Sequence, residues 1–163
     1  MDGACSDRAA RPRLPGRGAG YDYLHAALDD HSRYAYVEVH PDERGTTCAG
    51  FLARAAAHFG ELGVRIERVM TDQAKNYVLS RDFHAALTAI GARHIITRPY
   101  RPQTNGKVER FNRTLLDEWA YARLYRSNGA RLATLSRWVE TYNQRRPHTA
   151  LGGRPPASRL STT

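Results

Sequence analysis

Two acidic residues stand where chemistry is most easily done. Asp72 lies where a short apolar run, Val69-Met70, gives way to a polar segment, and Glu109 lies in the first turns of a helically spaced run that Asn105 can cap. Catalytic groups collect at the carboxyl ends of strands in open α/β sheets. A carboxylate in the first turn of a helix is favoured by the macrodipole, by about 0.3–1 kcal/mol when exposed. Taken singly, Asp72 also reads as a turn former and Glu109 as a charge that suits its helix. Their setting adds something further. Residues Arg93 to Arg113 include six Lys or Arg, and Glu109 is the only acid among them. A lone acid in a basic field suits a divalent cation that must itself meet phosphates. Two such cations, about 3.5–4 Å apart, can activate an attacking oxygen and stabilise a leaving one in phosphodiester chemistry. Mg²⁺ is hard, keeps several waters and needs few carboxylates. Lys107, Arg110 and Arg113 would then hold a nucleic-acid backbone without reading its sequence. The alternative for these cations is a solvated helix face.

The elements that must position these groups can be read from periodicity. Tyr23 to Leu28 and Tyr34 to Val39 are strand-like and flank the turn formers Asp29-Asp30-His31-Ser32, which predicts an antiparallel hairpin. Cys48, Phe51, Leu52, Ala55, Phe59 and Leu62 recur at helical spacing between Thr46 or Thr47 as cap and Gly63 as stop. Arg65 to Thr71 is a short strand leading into Asp72. Ser80 caps a helix with Phe83, Ala86, Leu87 and Ile90 inside, ended by Gly91, and His94 to Thr97 is another strand. Pro99 and Pro102 exclude helix from Arg98 to Thr104. Asn105 then caps a long helix with Val108, Phe111, Leu115, Trp119 and Ala122 on one side. A last helix, about Leu132 to Arg145, buries Leu132, Leu135, Trp138, Val139 and Tyr142. The order is a mixed α/β layer arrangement. Residues 1–20 read as disordered or unrelated sequence, 21–147 as the folded domain, and 148–163 as an extended tail.

Composition narrows the class. The 163 residues carry 25 Lys plus Arg against 16 Asp plus Glu, a formal charge of +9. Such a balance points to a polyanionic partner, most simply nucleic acid. No apolar run approaches the ~18–20 residues that span a bilayer, and the first residues contain no secretory signal pattern. Cys5 and Cys48 form no CxxC pair, which excludes a disulfide framework and a cysteine zinc site. That usage fits a reducing, cytoplasmic setting.

Two strings carry a resemblance. Met70-Thr71-Asp72-Gln73-Ala74-Lys75-Asn76-Tyr77 and Arg98-Pro99-Tyr100-Arg101-Pro102-Gln103-Thr104-Asn105-Gly106-Lys107-Val108-Glu109-Arg110-Phe111-Asn112-Arg113 resemble the integrase catalytic domain of bacterial insertion-sequence transposases and retroviral integrases. Leu28-Asp29-Asp30-His31-Ser32-Arg33 looks like that family's hairpin. Tyr142-Asn143-Gln144-Arg145-Arg146-Pro147-His148, with Leu151-Gly152-Gly153-Arg154-Pro155-Pro156, looks like its C-terminal signature. The resemblance implies a ribonuclease H-like mixed sheet flanked by helices, and an Asp–Asp–Glu triad holding two Mg²⁺ or Mn²⁺. It also implies DNA, both transposon ends and target, as partner, with self-association as a second. By position, Asp72 matches the second catalytic Asp and Glu109 the catalytic Glu, with thirty-six residues between them.

The first catalytic Asp has no counterpart by this reading. Its strand would fall on Ser6-Asp7-Arg8-Ala9-Ala10-Arg11-Pro12-Arg13-Leu14-Pro15, where two prolines remove ladder donors. Asp29 and Asp30 read as turn residues, and Asp22 opens what matches the second strand. The first central strand is therefore expected to be missing or replaced, as in a truncated transposase. Gln73-Ala74 also stands where the family often carries Asn-Gly, and Ala tolerates positive φ poorly. Three functions compete: metal-dependent nicking and strand transfer in DNA transposition, an inactive DNA-binding remnant that associates with an intact transposase, and a ribonuclease H-like nuclease.

Overall fold

The computed structural model describes residues 22–97 and 106–160. The expected N-terminal segment, the Arg98–Thr104 loop and the Asn105 cap lie outside the described residues. Element order is β1 (Tyr23–Leu28), β2 (Ala35–His40), α1 (Gly45–Glu61), β3 (Arg68–Thr71), α2 (Lys75–Val78), α3 (Arg81–Ala89), β4 (Arg93–Ile96), α4 (Gly106–Leu115), α5 (Asn128–Leu132) and α6 (Leu135–Gln144). A π-helical stretch, Leu116–Ala120, continues α4, and 3₁₀ turns at Thr149–Leu151 and Pro156–Arg159 follow α6. Among the described residues the strands form two two-stranded sheets, β1 with β2 and β3 with β4.

The chain divides into two units. The first gathers α1, β3, α2, α3 and β4 with the outer parts of the hairpin strands. Its core is Cys48 and Leu52 from α1 against Phe83 and Leu87 from α3, with Val69, Tyr77, Ala86, Ile90 and Ala92 packed around them. Ser80 caps α3 as expected, accepting from the Phe83 amide at 3.1 Å. The cap of α1 differs. Asp42, not Thr46 or Thr47, organises that start: its Oδ1 accepts from the Arg44 amide at 3.0 Å and the Thr47 hydroxyl at 2.5 Å. Those two donors hold the Asp42 carboxyl below its usual range. The strand before Asp72 is shorter than predicted, beginning at Arg68, since only Arg68 to Thr71 pair in parallel with Arg93 to Ile96.

The second unit gathers the hairpin turn and the chain from α4 onward. Phe111, Leu115, Trp119, Leu135, Tyr142 and Leu151 are buried in it. The Phe111 and Tyr142 rings meet edge to face at 5.0 Å, and His148 meets Tyr142 the same way at 5.0 Å. Burial pushes the Tyr142 phenol up to about 12. Asn143 is 3% exposed and clamps the start of β2. Its Nδ2 donates to the Ala35 carbonyl, and its Oδ1 accepts from the Ala35 amide, both at 2.8 Å.

Three expectations are corrected in this unit. The long helix does not run on to Ala122. Its π-helical end, closed by the Tyr121 amide donating to Leu116 O at 2.9 Å, inserts one residue per turn and leaves Ala122 exposed. The last helix begins at Leu135 rather than Leu132: Leu132 ends the separate short α5, and in the turn between them the Thr134 hydroxyl donates to Arg131 O and receives the Trp119 indole N–H. The tail is not an extended arm over the described residues. Gly152 (φ 65°) and Gly153 (φ 78°) turn the chain so that His148 and Arg154 bridge and Leu151 and Pro156 bury.

Burial also sets a pH limit. His25, His94 and His148 each titrate below their ordinary value, in every case chiefly because burial disfavours the cation. A depressed histidine favours the neutral folded state, so this stability is intact above pH ~6.5 and is lost as pH falls through the lower folded values. Urea midpoints should hold from pH 8 to 6.5 and drop between 6.5 and 5. A midpoint unchanged at pH 5 would contradict the burial of these rings.

Candidate functional site

In the first unit, Asp72 follows the last paired residue of β3 and is fixed by its neighbours. Its Oδ1 accepts from the Ala74 amide at 3.0 Å, a turn that bends the chain directly into α2. Ala74 is extended (φ −62°, ψ 140°), so the segment needs no left-handed residue where the family often has glycine. The Gln73-Ala74 departure is thus accommodated by an aspartate-closed turn. Thr71 Oγ1 donates to the Asp72 carbonyl at 2.9 Å and lies 2.8 Å from His94 Nε2, while Gln73 Nε2 reaches Thr97 O at 3.3 Å. Beyond the turn, Asn76 Nδ2 donates to Glu43 O at 3.0 Å and contacts Cys48 Sγ at 3.4 Å, fastening α2 to the start of α1. Thr71, His94 and Asn76 carry this bracing. None of them stands out by type or spacing, because their roles depend on which strands and helices become neighbours.

In the second unit, Glu109 sits in the first turn of α4 and is exposed. Lys107, Arg110 and Arg113 follow one another at three-residue steps and so share a ridge of the helix. All three are exposed. Lys107 Nζ contacts Asp30 Oδ1 at 2.5 Å. Asp30 is 84% exposed, so this pair is solvated and contributes little stability. Asp29 is committed to the turn, accepting from the Ser32 amide at 2.7 Å and the Ser32 hydroxyl at 2.5 Å. Asp29 is therefore structural, as its type suggested, whereas Asp30 is a solvated surface acid. Asp2 and Asp7, the two acids of the N-terminal segment, lie outside the described residues.

The donor chemistry of Asp72 and Glu109, hard carboxylate oxygens, suits magnesium or manganese. Among the described residues, no group of three or more His, Cys, Asp or Glu is gathered to hold a metal.

The integrase core domain family matches residues 13–102, and a second description of the same core matches residues 90–156. The chain belongs to the integrase core domain family. An uncharacterised 39.2 kDa protein of insertion element IS476 from Xanthomonas euvesicatoria is 34% identical over 89 residues, covering 55% of this chain and 25% of that protein. The retrovirus-related Pol polyprotein from transposon TNT 1-94 of Nicotiana tabacum is 32% identical over 101 residues, covering 61% of this chain and 7% of the polyprotein. This integrase core thus spans a quarter or less of those curated relatives.

Solved structures agree on the architecture. A chain of the simian T-cell lymphotropic virus intasome in complex with PP2A regulatory subunit B56 gamma superposes with a TM-score of 0.69 at 25% identity, covering 87% of this chain and 49% of that one. The catalytic core domain of BIV integrase superposes with a TM-score of 0.65 at 19% identity, covering 84% of each chain. The fold is ribonuclease H-like, as the resemblance implied. No helix among the described residues is long and apolar enough to cross a membrane.

Proposed function

We propose that this integrase core acts in DNA transposition, as the catalytic domain of an insertion-sequence type enzyme that nicks DNA and transfers the freed 3′ end. The reading rests above all on Asp72, a carboxylate at the carboxyl end of β3 whose turn is braced by Ala74, Thr97 and Asn76. Asp72 and Glu109 are assigned as ligands of Mg²⁺ or Mn²⁺. When bound, such an ion supplies Lewis-acid charge to the reacting phosphodiester. The ridge of Lys107, Arg110 and Arg113 is assigned to the DNA backbone. Lys107 would exchange Asp30 for phosphate, since both partners are solvated. Self-association of several copies on DNA is part of the same proposal.

One observation favours a second reading. The stretch Ser6 to Pro15, where the family's first catalytic Asp and its strand would fall, carries Pro12 and Pro15, which suits a DNA-binding remnant working beside an intact transposase. Labelled duplex with Mg²⁺ separates the two. Joined strand-transfer product supports the enzyme; binding without cutting supports the remnant; and cleavage of RNA in a hybrid overturns both in favour of a nuclease.

The backbone role has its own test. Phosphate contacts release counterions, so log affinity should fall linearly with log salt, by about 0.9 per phosphate neutralised. Arg110→Ala and Arg113→Ala should each lower that slope by about one and weaken binding equally across sequences. A loss confined to one DNA sequence would contradict a backbone contact.

A further inference from the structure

Between the π-helical end of α4 and α5 the chain makes an exposed finger, Tyr121 to Ser127. Leu124 at its centre is fully exposed (102%) and Tyr121 is 55% exposed, with Arg123 and Arg126 exposed on either side of Leu124. The finger is held rather than loose. Tyr125 Oη donates to Trp119 O at 2.7 Å, and the buried Trp119 donates its indole N–H to Thr134 Oγ1 at 3.0 Å. Arg123 stacks its guanidinium 4.9 Å from the Tyr125 ring centre. At the far end, Ser127 accepts from the Ala130 amide at 3.1 Å, closing the finger onto α5.

Charge decides what such a finger meets. From Trp119 to Val139 the sequence holds four arginines and no acid. Among the described residues neither Arg123 nor Arg126 has a carboxylate partner, whereas Arg146 is spent on Glu118 at 2.6 Å. Two unneutralised cations flanking a bare leucine make a poor surface for a second copy of a chain with net charge +9. They complement a duplex. Proteins that deform DNA set apolar side chains against base steps and cations on the adjoining phosphates.

We infer that the Tyr121–Ser127 finger is a second DNA contact, with Arg123 and Arg126 on phosphates and Leu124 pressed into the base stack of a distorted duplex. This inference rests on the DNA reading above but concerns a different surface from the α4 ridge.

The experiment uses the whole chain and a duplex carrying 2-aminopurine at successive positions. Binding is followed by anisotropy across a salt series, and thermal melts confirm folding of each variant. For Arg123→Ala/Arg126→Ala the salt slope should fall by about two. For Leu124→Ala the slope should stay, and a 2-aminopurine fluorescence rise seen with the parent chain should vanish. Leu124→Met, which keeps an apolar side chain of similar volume, should restore it. An unchanged slope in the double variant, while Arg113→Ala still lowers it, overturns the finger and leaves the DNA reading standing. No binding by the parent chain overturns both. Loss of self-association in Leu124→Ala, with DNA binding untouched, overturns the inference in favour of a copy-to-copy contact.

Discussion

Glu109→Gln should abolish metal-dependent strand transfer while leaving duplex affinity unchanged or slightly raised. The substitution keeps length, shape and helix propensity in the exposed first turn of α4. It removes one negative charge and the hard anionic oxygen a divalent ion needs. A metal's stabilisation of transition-state charge is worth several kcal/mol, and about 1.4 kcal/mol is tenfold in rate. The expected loss is therefore on the order of a thousandfold or more. DNA affinity moves the other way, because one acid has left a basic ridge. Single-turnover transfer with Mg²⁺, set beside anisotropy titrations of the same preparation, checks both halves. Transfer surviving within tenfold would remove Glu109 from the assignment, and Asp72→Asn applies the same test to the other carboxylate.

Asn143→Ala should cost the most stability of any single polar change. Asn143 is buried and satisfies both backbone groups of Ala35, 108 residues away in sequence. Alanine leaves a buried N–H and a buried C=O unpaired, at about 1–3 kcal/mol each, against a total stability of about 5–15 kcal/mol. At this chain length each kcal/mol lowers the melting temperature by roughly 2–4 °C, so a drop of roughly 5–20 °C is expected. Asn143→Asp should be no better, since it keeps an acceptor for the Ala35 amide but loses the donor to the carbonyl and buries a charge. Calorimetry or circular dichroism melts of the three proteins decide the matter. A melting temperature within 2 °C of the parent would mean that the Asn143 clamp contributes little.

The clamp illustrates what a chain reveals before it folds. Tyr142-Asn143 could be placed on a helix from periodicity, with Tyr142 facing inward. The partner of Asn143 could not, because nothing local joins it to Ala35. Period-2 and period-3.6 patterns are local, and they located β1, the Ser80 cap and the Phe83–Leu87 face to within a residue or so. Composition with charge pointed to a polyanion, and the strings around Asp72 and Glu109 pointed to the family that the comparisons then showed.

Where long-range contacts decide geometry, local patterns mislead. Trp119 continues a helical stripe with Leu115, yet its indole reaches Thr134, and the π-helical turn that accompanies this contact throws Ala122 out to solvent. Gly152, Gly153 and Pro155 have the composition of a loose tail, but left-handed glycines and a buried Pro156 make it part of the second unit's core. Sequence by itself fixed the cationic character and pointed to the family and to the two carboxylates worth testing, since side-chain type and spacing are written in it. Tertiary structure alone decided which polar groups brace Asp72 and which backbone atoms Asn143 satisfies. It also decided that Arg123, Leu124 and Arg126 stand out on a held finger, because burial and hydrogen-bond partnership belong to the folded chain and not to its order.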